Sequence, residues 1–204
     1  QNIAEKGLAE GKGTGMFQIS RDRLPPGQKL VSSGWPVLDL GLRPDIKRED
    51  WKLEISGAAP SQTLDWHAFS AIKQTKQTTD LHCVTTWSIY DAMVEGVLWV
   101  DFLAVAKPDA DATHVMFHGY DGYTTNLPMS ELAMPQVAII HTFGGKPVAR
   151  DHGGPVRMWV PHLYAWKGAK WLKGIEFMTE DRRGFWEVRG YHNHGDPWKE
   201  ERYS

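Results

Sequence analysis

The chain has a single cysteine, Cys83, in the run Asp80-Leu81-His82-Cys83-Val84-Thr85-Thr86-Trp87-Ser88. A thiolate is a soft, strong donor for a transition metal and also a nucleophile. In an extended segment successive side chains face opposite ways, so adjacency alone does not make His82 and Cys83 a nucleophile–base pair. A small buried thiol is the plain alternative, because free cysteine is among the most buried residue types. The strand-end position and the polar Thr85 and Thr86 keep a reactive or ligating thiolate open beside that reading. A second run, His152-Gly153-Gly154-Pro155-Val156-Arg157, is followed by Lys167-Gly168-Ala169-Lys170. Its glycines would let backbone approach a ligand closely. Arg157, Lys167 and Lys170 could give charge-assisted hydrogen bonds to a phosphate or another anion. A turn carrying surface lysines explains the same residues.

The histidines are less informative. His192-Asn193-His194 could present two metal ligands, but the polar tail after them favours surface histidines. His114 and His118 share a strand face, and His67, His141 and His162 have no spacing partner. One cysteine excludes both an internal disulfide and a zinc site built on several thiolates. No phosphate-loop or dinucleotide fingerprint occurs.

These residues must be held by a chain of 204 residues, 41% hydrophobic and 24% charged, with a net charge of −2. Such a length suits one domain with a proper core. The near-neutral balance argues against nucleic acid or an anionic membrane as the main partner. The longest apolar runs fall far short of the ~20 residues of a membrane helix. No apolar run of signal-peptide length opens the sequence, so a cytoplasmic protein is expected. The 20 glycines and 12 prolines favour a loop-rich, strand-rich protein, and ten tryptophans imply broad aromatic packing or cofactor walls.

Residues 1–17 read as a mobile leader and residues 18–204 as one domain. The prolines of Asp22-Arg23-Leu24-Pro25-Pro26-Gly27-Gln28 make a stiff arm. Strands are expected over Trp51–Ile55, Thr78–Val84, Thr113–His118, Tyr123–Leu127, Val137–Phe143, Arg157–Val160 and Trp171–Met178. Asp121-Gly122 marks a hairpin turn. Helices are expected over Thr63–Lys73, capped by Thr63 or Asp65, and over Trp99–Ala106, stopped by Pro108. The result is an α+β single domain, β-rich with a mixed sheet.

The arm Asp22–Gln28, the block Leu81–Ser88, the block His152–Pro161 and Tyr164-Ala165-Trp166-Lys167-Gly168-Ala169-Lys170-Trp171 together resemble the molybdopterin-binding domain of the sulfite-oxidase family. The resemblance runs from about Asp22 to Phe177. Within the family it is nearest the small, stand-alone bacterial sulfite-oxidase-like oxidoreductases. It implies that Cys83 supplies the protein sulfur to molybdenum, beside the two dithiolene sulfurs of the pterin. His152, Arg157, Gly168, Ala169 and Lys170 match positions that hold the pterin and its phosphate. His118 falls near a further pterin contact, and Trp35 with Pro36 matches an upstream one. The implied cofactor is molybdopterin with molybdenum, and the implied reaction is a two-electron oxygen-atom transfer on a small substrate such as sulfite or a sulfoxide. Electrons would pass through an external protein, because the chain has no haem-attachment motif. The residues after Cys83 are uncharged where a sulfite oxidase tends to be basic, which leaves sulfoxide reduction open. A pterin-binding module without turnover and a cysteine hydrolase built on Cys83 are the readings from other classes.

Overall fold

The computed structural model describes residues 23–204, so the expected leader lies outside the described residues. Strands alternate with short loops: β1 (Lys29–Leu30), β2 (Lys52–Gly57), β3 (Gln62–Asp65), β4 (Thr75–His82), β5 (Trp87–Leu98) and β6 (His114–Gly119). They continue with β7 (Thr124–Pro128), β8 (Ala138–Phe143), β9 (Lys146–Pro147), β10 (Arg157–Trp159) and β11 (Leu172–Met178). One sheet runs β3-β2-β11-β6-β7 and the other β1-β5-β8-β10, with β4 on β5 and β9 on β8. Both are mixed: β2 pairs β11 in parallel, β1 pairs β5 in parallel, and the other ladders are antiparallel.

The period-2 pattern of Trp51–Ile55 does what it implies. Leu53 and Ile55 are buried while Lys52 and Glu54 face out. Full burial of side chains of this size contributes about 1.5–3 kcal/mol each. They join Trp51, Phe69, Trp99, Phe102, Phe117 and Phe177 in the core that the two sheets enclose. Residues Gln62–Asp65 extend as β3 rather than starting a helix, because Leu64 buries opposite Leu53 on β2. The helix is therefore shorter than the sequence suggests, Trp66–Ala71, with Asp65 as its cap accepting from the Ala68 N–H at 2.8 Å. The Trp99–Ala106 helix forms as expected and buries Trp99, Phe102 and Ala106, at the spacing of one helix face.

Two elements position the site. The β6–β7 hairpin turns at Tyr120-Asp121-Gly122, where Gly122 takes φ 83° and its N–H meets the Gly119 carbonyl. The longer β4–β5 hairpin turns at residues 83–86. β5 is twelve residues long: β4 pairs along one edge from Ser88 to Gly96, while the other edge pairs first with β1 at Trp87 and Ser88 and then with β8 from Val94 to Leu98. No helix among the described residues is long and apolar enough to cross a membrane.

Candidate active site

Cys83 is the first residue beyond β4. Its N–H donates to the Trp87 carbonyl at 2.9 Å, and the Thr86 N–H donates to the Cys83 carbonyl at 3.0 Å. Val84-Thr85-Thr86 is thus a tight three-residue loop that ends with Thr86 at φ 77°. A β-branched residue in the left-handed region stores strain of about 1–3 kcal/mol, which surrounding contacts must hold. Cys83 is 5% exposed and lines a cavity of about 330 Å³, a size suited to a small-molecule site. Its Sγ lies 3.1 Å from Thr85 Oγ1. Burial pushes the thiol above its usual range, against the opposing effects of the Thr85 contact and the Arg202 charge. A cysteine nucleophile needs the reverse shift and a nearby base. His82 supplies no base, because its Nδ1 sits 2.8 Å from Ser88 Oγ in the opposite, buried direction. The raised thiol and the His82 ring bonded to Ser88 both count against a cysteine hydrolase.

Across the cavity lies Arg157, on β10 and only 4% exposed. It donates to the carbonyls of His152 at 2.8 Å, Gly168 at 3.1 Å and its neighbour Met158 at 3.3 Å. Among the described residues no carboxylate pairs with it. Burial pulls the guanidinium down to about 10, although the Cys83 side chain opposes that shift. Buried charges are ordinarily paired, so a guanidinium left without an acid calls for an anionic occupant.

Lys170 borders the same cavity, bonded to the Asp151 carbonyl at 2.9 Å and 5.0 Å from the centre of the Trp171 ring. Burial and the Arg157 charge pull it down to about 8. The same two causes hold His152 at about 4, so this imidazole is neutral at pH 7. Trp35 stacks flat on His152, with ring centres 3.9 Å apart, and among the described residues the buried Nδ1 of His152 has no hydrogen-bond partner. The Trp87 indole N–H, also on a cavity-lining residue, is buried and unpartnered too.

The glycines of the second run serve a purpose other than the one the sequence suggests. A Cβ on Gly153, which has φ 97°, would lie 2.6 Å from Lys170 Cβ, and one on Gly154 would lie 2.0 Å from the Val148 carbonyl oxygen. These glycines let two protein segments pack closely and so place Lys170 at the cavity. Gly168, Trp35 and Pro36 line the cavity. Ala169 is wholly buried and bonds β10 through its carbonyl, 2.9 Å from the Met158 nitrogen.

Three residues that the sequence offered as ligand contacts, His118, Lys167 and Ala169, lie outside the cavity lining. His118 lies outside the cavity lining, on the outer face of its sheet, where Nε2 is 2.9 Å from Glu176 Oε2. The strand period that buries Val115 and Phe117 turns His118 away from the core. Lys167 also misses the cavity. It is fully buried, with Nζ 2.8 Å from Glu187 Oε1 and 2.8 Å from the Asn126 carbonyl.

His162 and His194 flank Glu131 at 2.8 and 2.9 Å, and His194 reaches Glu201 at 2.7 Å. This is a carboxylate–imidazole cluster that ties down the tail. Among the described residues no group of three or more His, Cys, Asp or Glu could hold a metal ion. Sequence reasoning missed Tyr123, Trp186 and Tyr191 as cavity walls, and it gave no role to Gln28 or Arg202. Only the hairpin signal at Asp121-Gly122 hinted at Tyr123, whose hydroxyl donates to the Trp166 carbonyl at 2.6 Å.

The described residues therefore offer a thiol, a guanidinium that none of their acids pairs with, and a lysine that feels the Asp39 and Asp121 carboxylates. They add ring nitrogens without partners among them, around one space walled by indoles. That donor set fits an anionic heterocycle carrying a phosphate and bound to a thiophilic metal.

Comparison with known proteins agrees. Residues 40–186 match the family described as the oxidoreductase molybdopterin binding domain. The chain is 37% identical over 184 residues to the uncharacterized oxidoreductase YuiH of Bacillus subtilis (strain 168), a match covering 89% of this chain and 92% of that one. It is 27% identical over 150 residues to the putative protein-methionine-sulfoxide reductase subunit YedZ1 of Azospira oryzae, covering 72% of this chain and 56% of that one. Mitochondrial sulfite oxidase of Homo sapiens matches at 27% over 179 residues, covering 72% of this chain and 33% of that one. The chain thus spans about half and about a third of the length of these last two relatives. The sulfane dehydrogenase SoxCD of Paracoccus pantotrophus shares the fold, with a TM-score of 0.62 at 17% identity over 68% of this chain and 40% of that one. From the extent of the family match and the likeness to YuiH, the chain belongs to the molybdopterin-binding oxidoreductases of the sulfite-oxidase type, and a molybdenum–pterin cofactor is the one this family implies.

Proposed function

We propose that this protein carries out a two-electron oxygen-atom transfer on a small, uncharged substrate, a sulfoxide in preference to sulfite, with Cys83 as its protein ligand to molybdenum. The observation that supports this reading is the division of the cavity wall. The cations Arg157 and Lys170 belong to the glycine-containing segments that the pterin and its phosphate would occupy. The residues in and around the Cys83 loop that line the cavity, Leu81, Val84, Thr85 and Trp87, are uncharged. A sulfite dianion would need a cation free to meet it beside the thiol. The two guanidiniums whose charge reaches Cys83, Arg157 and Arg202, are engaged by backbone carbonyls. A sulfoxide needs only hydrogen-bond donors and apolar contact.

The bound cofactor supplies the redox centre through which an oxygen atom and two electrons are exchanged. Arg157 and Lys170 offset the negative charge of the cofactor's phosphate, and the carbonyls of His152 and Gly168 fix the guanidinium that does so. His152, neutral and held by Trp35, offers a ring nitrogen rather than a charge. The indoles Trp35, Trp87, Trp166 and Trp186 exclude water from the cavity and strengthen each polar contact inside it. In the reductive direction a sulfoxide, two electrons and two protons give a thioether and water. The electrons come from an external donor protein.

The test is to express the chain with adequate molybdate, measure molybdenum per chain, and assay turnover on sulfite and on dialkyl sulfoxides with an artificial electron carrier. Bound molybdenum and turnover of the sulfoxides above that of sulfite are expected. Loss of turnover is expected for Cys83→Ser. Sulfite turnover exceeding that of every sulfoxide would refute the substrate assignment, and full activity in Cys83→Ser would refute the ligand.

A further inference from the structure

The Cys83 loop is gripped from both ends of the described chain. Gln28, from the proline-stiffened arm, is 7% exposed, and its Nε2 lies 3.0 Å from the Cys83 carbonyl, 2.9 Å from the Trp87 carbonyl and 3.1 Å from Ser88 Oγ. Its Oε1 accepts from Arg202 Nη2 at 3.0 Å. The other terminal nitrogen of Arg202 donates to the Val84 carbonyl. The Arg202 guanidinium carbon lies 4.9 Å from the centre of the fully buried Tyr164 ring. One amide and one guanidinium thus engage the carbonyls of Cys83, Val84 and Trp87, three of the five residues from Cys83 to Trp87.

The loop needs such a grip. Thr86 at φ 77° is strained, and the Thr85 and Thr86 side chains are exposed. The exposed tip of the loop therefore adds little packing of its own to that of the buried Cys83. Arg202 and Gln28 both fall outside residues 40–186, the span that matches the family, although Gln28 closes the arm motif Asp22–Gln28. The arm is itself anchored, because Arg23 bonds Asp80 on β4 through Nε at 2.8 Å and Asp91 on β5 through Nη2 at 2.8 Å.

We infer that Gln28 and Arg202 are positioning residues for the Cys83 sulfur, acting through the loop carbonyls and touching neither cofactor nor substrate. The inference rests on the reading of Cys83 as the metal ligand. It assigns a purpose to the arm and to the C-terminal tail: together they clamp a strained loop whose orientation sets where the sulfur meets the metal.

The test uses the full chain in cofactor-free and cofactor-loaded forms. Gln28→Glu is nearly isosteric and keeps the acceptor for Arg202, but it loses the Nε2 donor to the loop. Arg202→Met removes the fork, and Arg202→Lys restores one donor. In cofactor-free protein, hydrogen exchange over residues 83–87 is expected to rise at least tenfold in Gln28→Glu and Arg202→Met. Exchange in the β2–β11 ladder should stay unchanged, and Arg202→Lys should recover part of the protection. In loaded protein the same two variants are expected to shift the visible absorption of the molybdenum centre, with Arg202→Lys intermediate. Unchanged exchange and absorption, or exchange that rises uniformly through the chain, would overturn the positioning role. A Cys83→Ser protein that retains molybdenum with the parent absorption would overturn the ligand reading instead, and would leave the exchange result standing.

Discussion

The Lys167–Glu187 pair allows the most quantitative prediction. Both side chains are fully buried, with Nζ and Oε1 2.8 Å apart. The same Oε1 accepts from Thr125 Oγ1 at 2.7 Å and from the Trp166 indole N–H at 3.0 Å. Lys167 sits next to Gly168 and Trp166, so this pair anchors a wall of the cavity. Glu187→Gln preserves shape and can still accept from Thr125 and Trp166, but it leaves the ammonium without a counter-charge. Breaking a buried pair in this way costs about 3–5 kcal/mol.

An upper limit follows from titration, because the folded variant can shed the lysine proton. With an ordinary lysine value of 10.5, deprotonation at pH 7 costs about 1.4 kcal/mol for each pH unit, or roughly 5 kcal/mol in all. Burial already lowers Lys167, and Glu187 opposes that shift. In the variant the folded chain then binds one proton fewer than the unfolded chain. Its stability should rise relative to the parent by up to ~1.4 kcal/mol per pH unit between pH 7 and 9. Urea unfolding of parent and variant at pH 7, 8 and 9 measures both quantities. A loss below about 1 kcal/mol at pH 7, or a difference from the parent that does not shrink with pH, would refute the reasoning. The double variant Lys167→Met with Glu187→Leu should recover most of the loss, since apolar replacement of a buried pair is often neutral.

Other perturbations probe the site and the fold. Gly153→Ala should destabilise by about 2 kcal/mol or more, because a Cβ there combines a left-handed φ with a clash against Lys170; chemical denaturation measures this. Arg157→Met should lower molybdenum per chain at least tenfold; in cofactor-free protein the removal of a buried charge without an acid offsets part of the roughly 1–3 kcal/mol that each carbonyl left without its donor costs. Asp65→Ala removes the helix cap and should cost about 0.5–2 kcal/mol, read from the thermal midpoint. Burial raises Glu131 and Glu201, but the His162 and His194 bonds on Glu131, and the Asp196 N–H and His194 bonds on Glu201, outweigh it and hold both below the ordinary carboxylate range. Their contribution is complete above that range and is lost as pH falls through the lowered values, so the thermal midpoint should fall on acidification below about pH 4. Glu131→Gln should flatten that acid limb.

Much of this molecule is decided by short stretches of sequence. Asp121-Gly122 specifies its hairpin because the turn needs a left-handed residue at one position. Trp51–Ile55 specifies a half-buried strand because its period is 2, and Trp99–Ala106 specifies a helix whose apolar spacing buries one face. The motif around Cys83 named the family because residue types in a fixed order carry that information whatever their contacts. Where the order of residues left a choice, tertiary packing made it. Leu64 pulled Gln62–Asp65 into a strand because a buried partner stood opposite on β2. The face of β6 that is buried decided that His118 points away from the cavity, and the pairing with Glu187 decided that Lys167 does too. Arg157 stands without an acid, and Gln28 and Arg202, 174 positions apart, meet over the Cys83 loop. No local pattern encodes these contacts, because they arise when two sheets and both ends of the described chain are packed against one another. The sequence determined which groups the protein has for its chemistry, and long-range burial determined which of them face the same cavity.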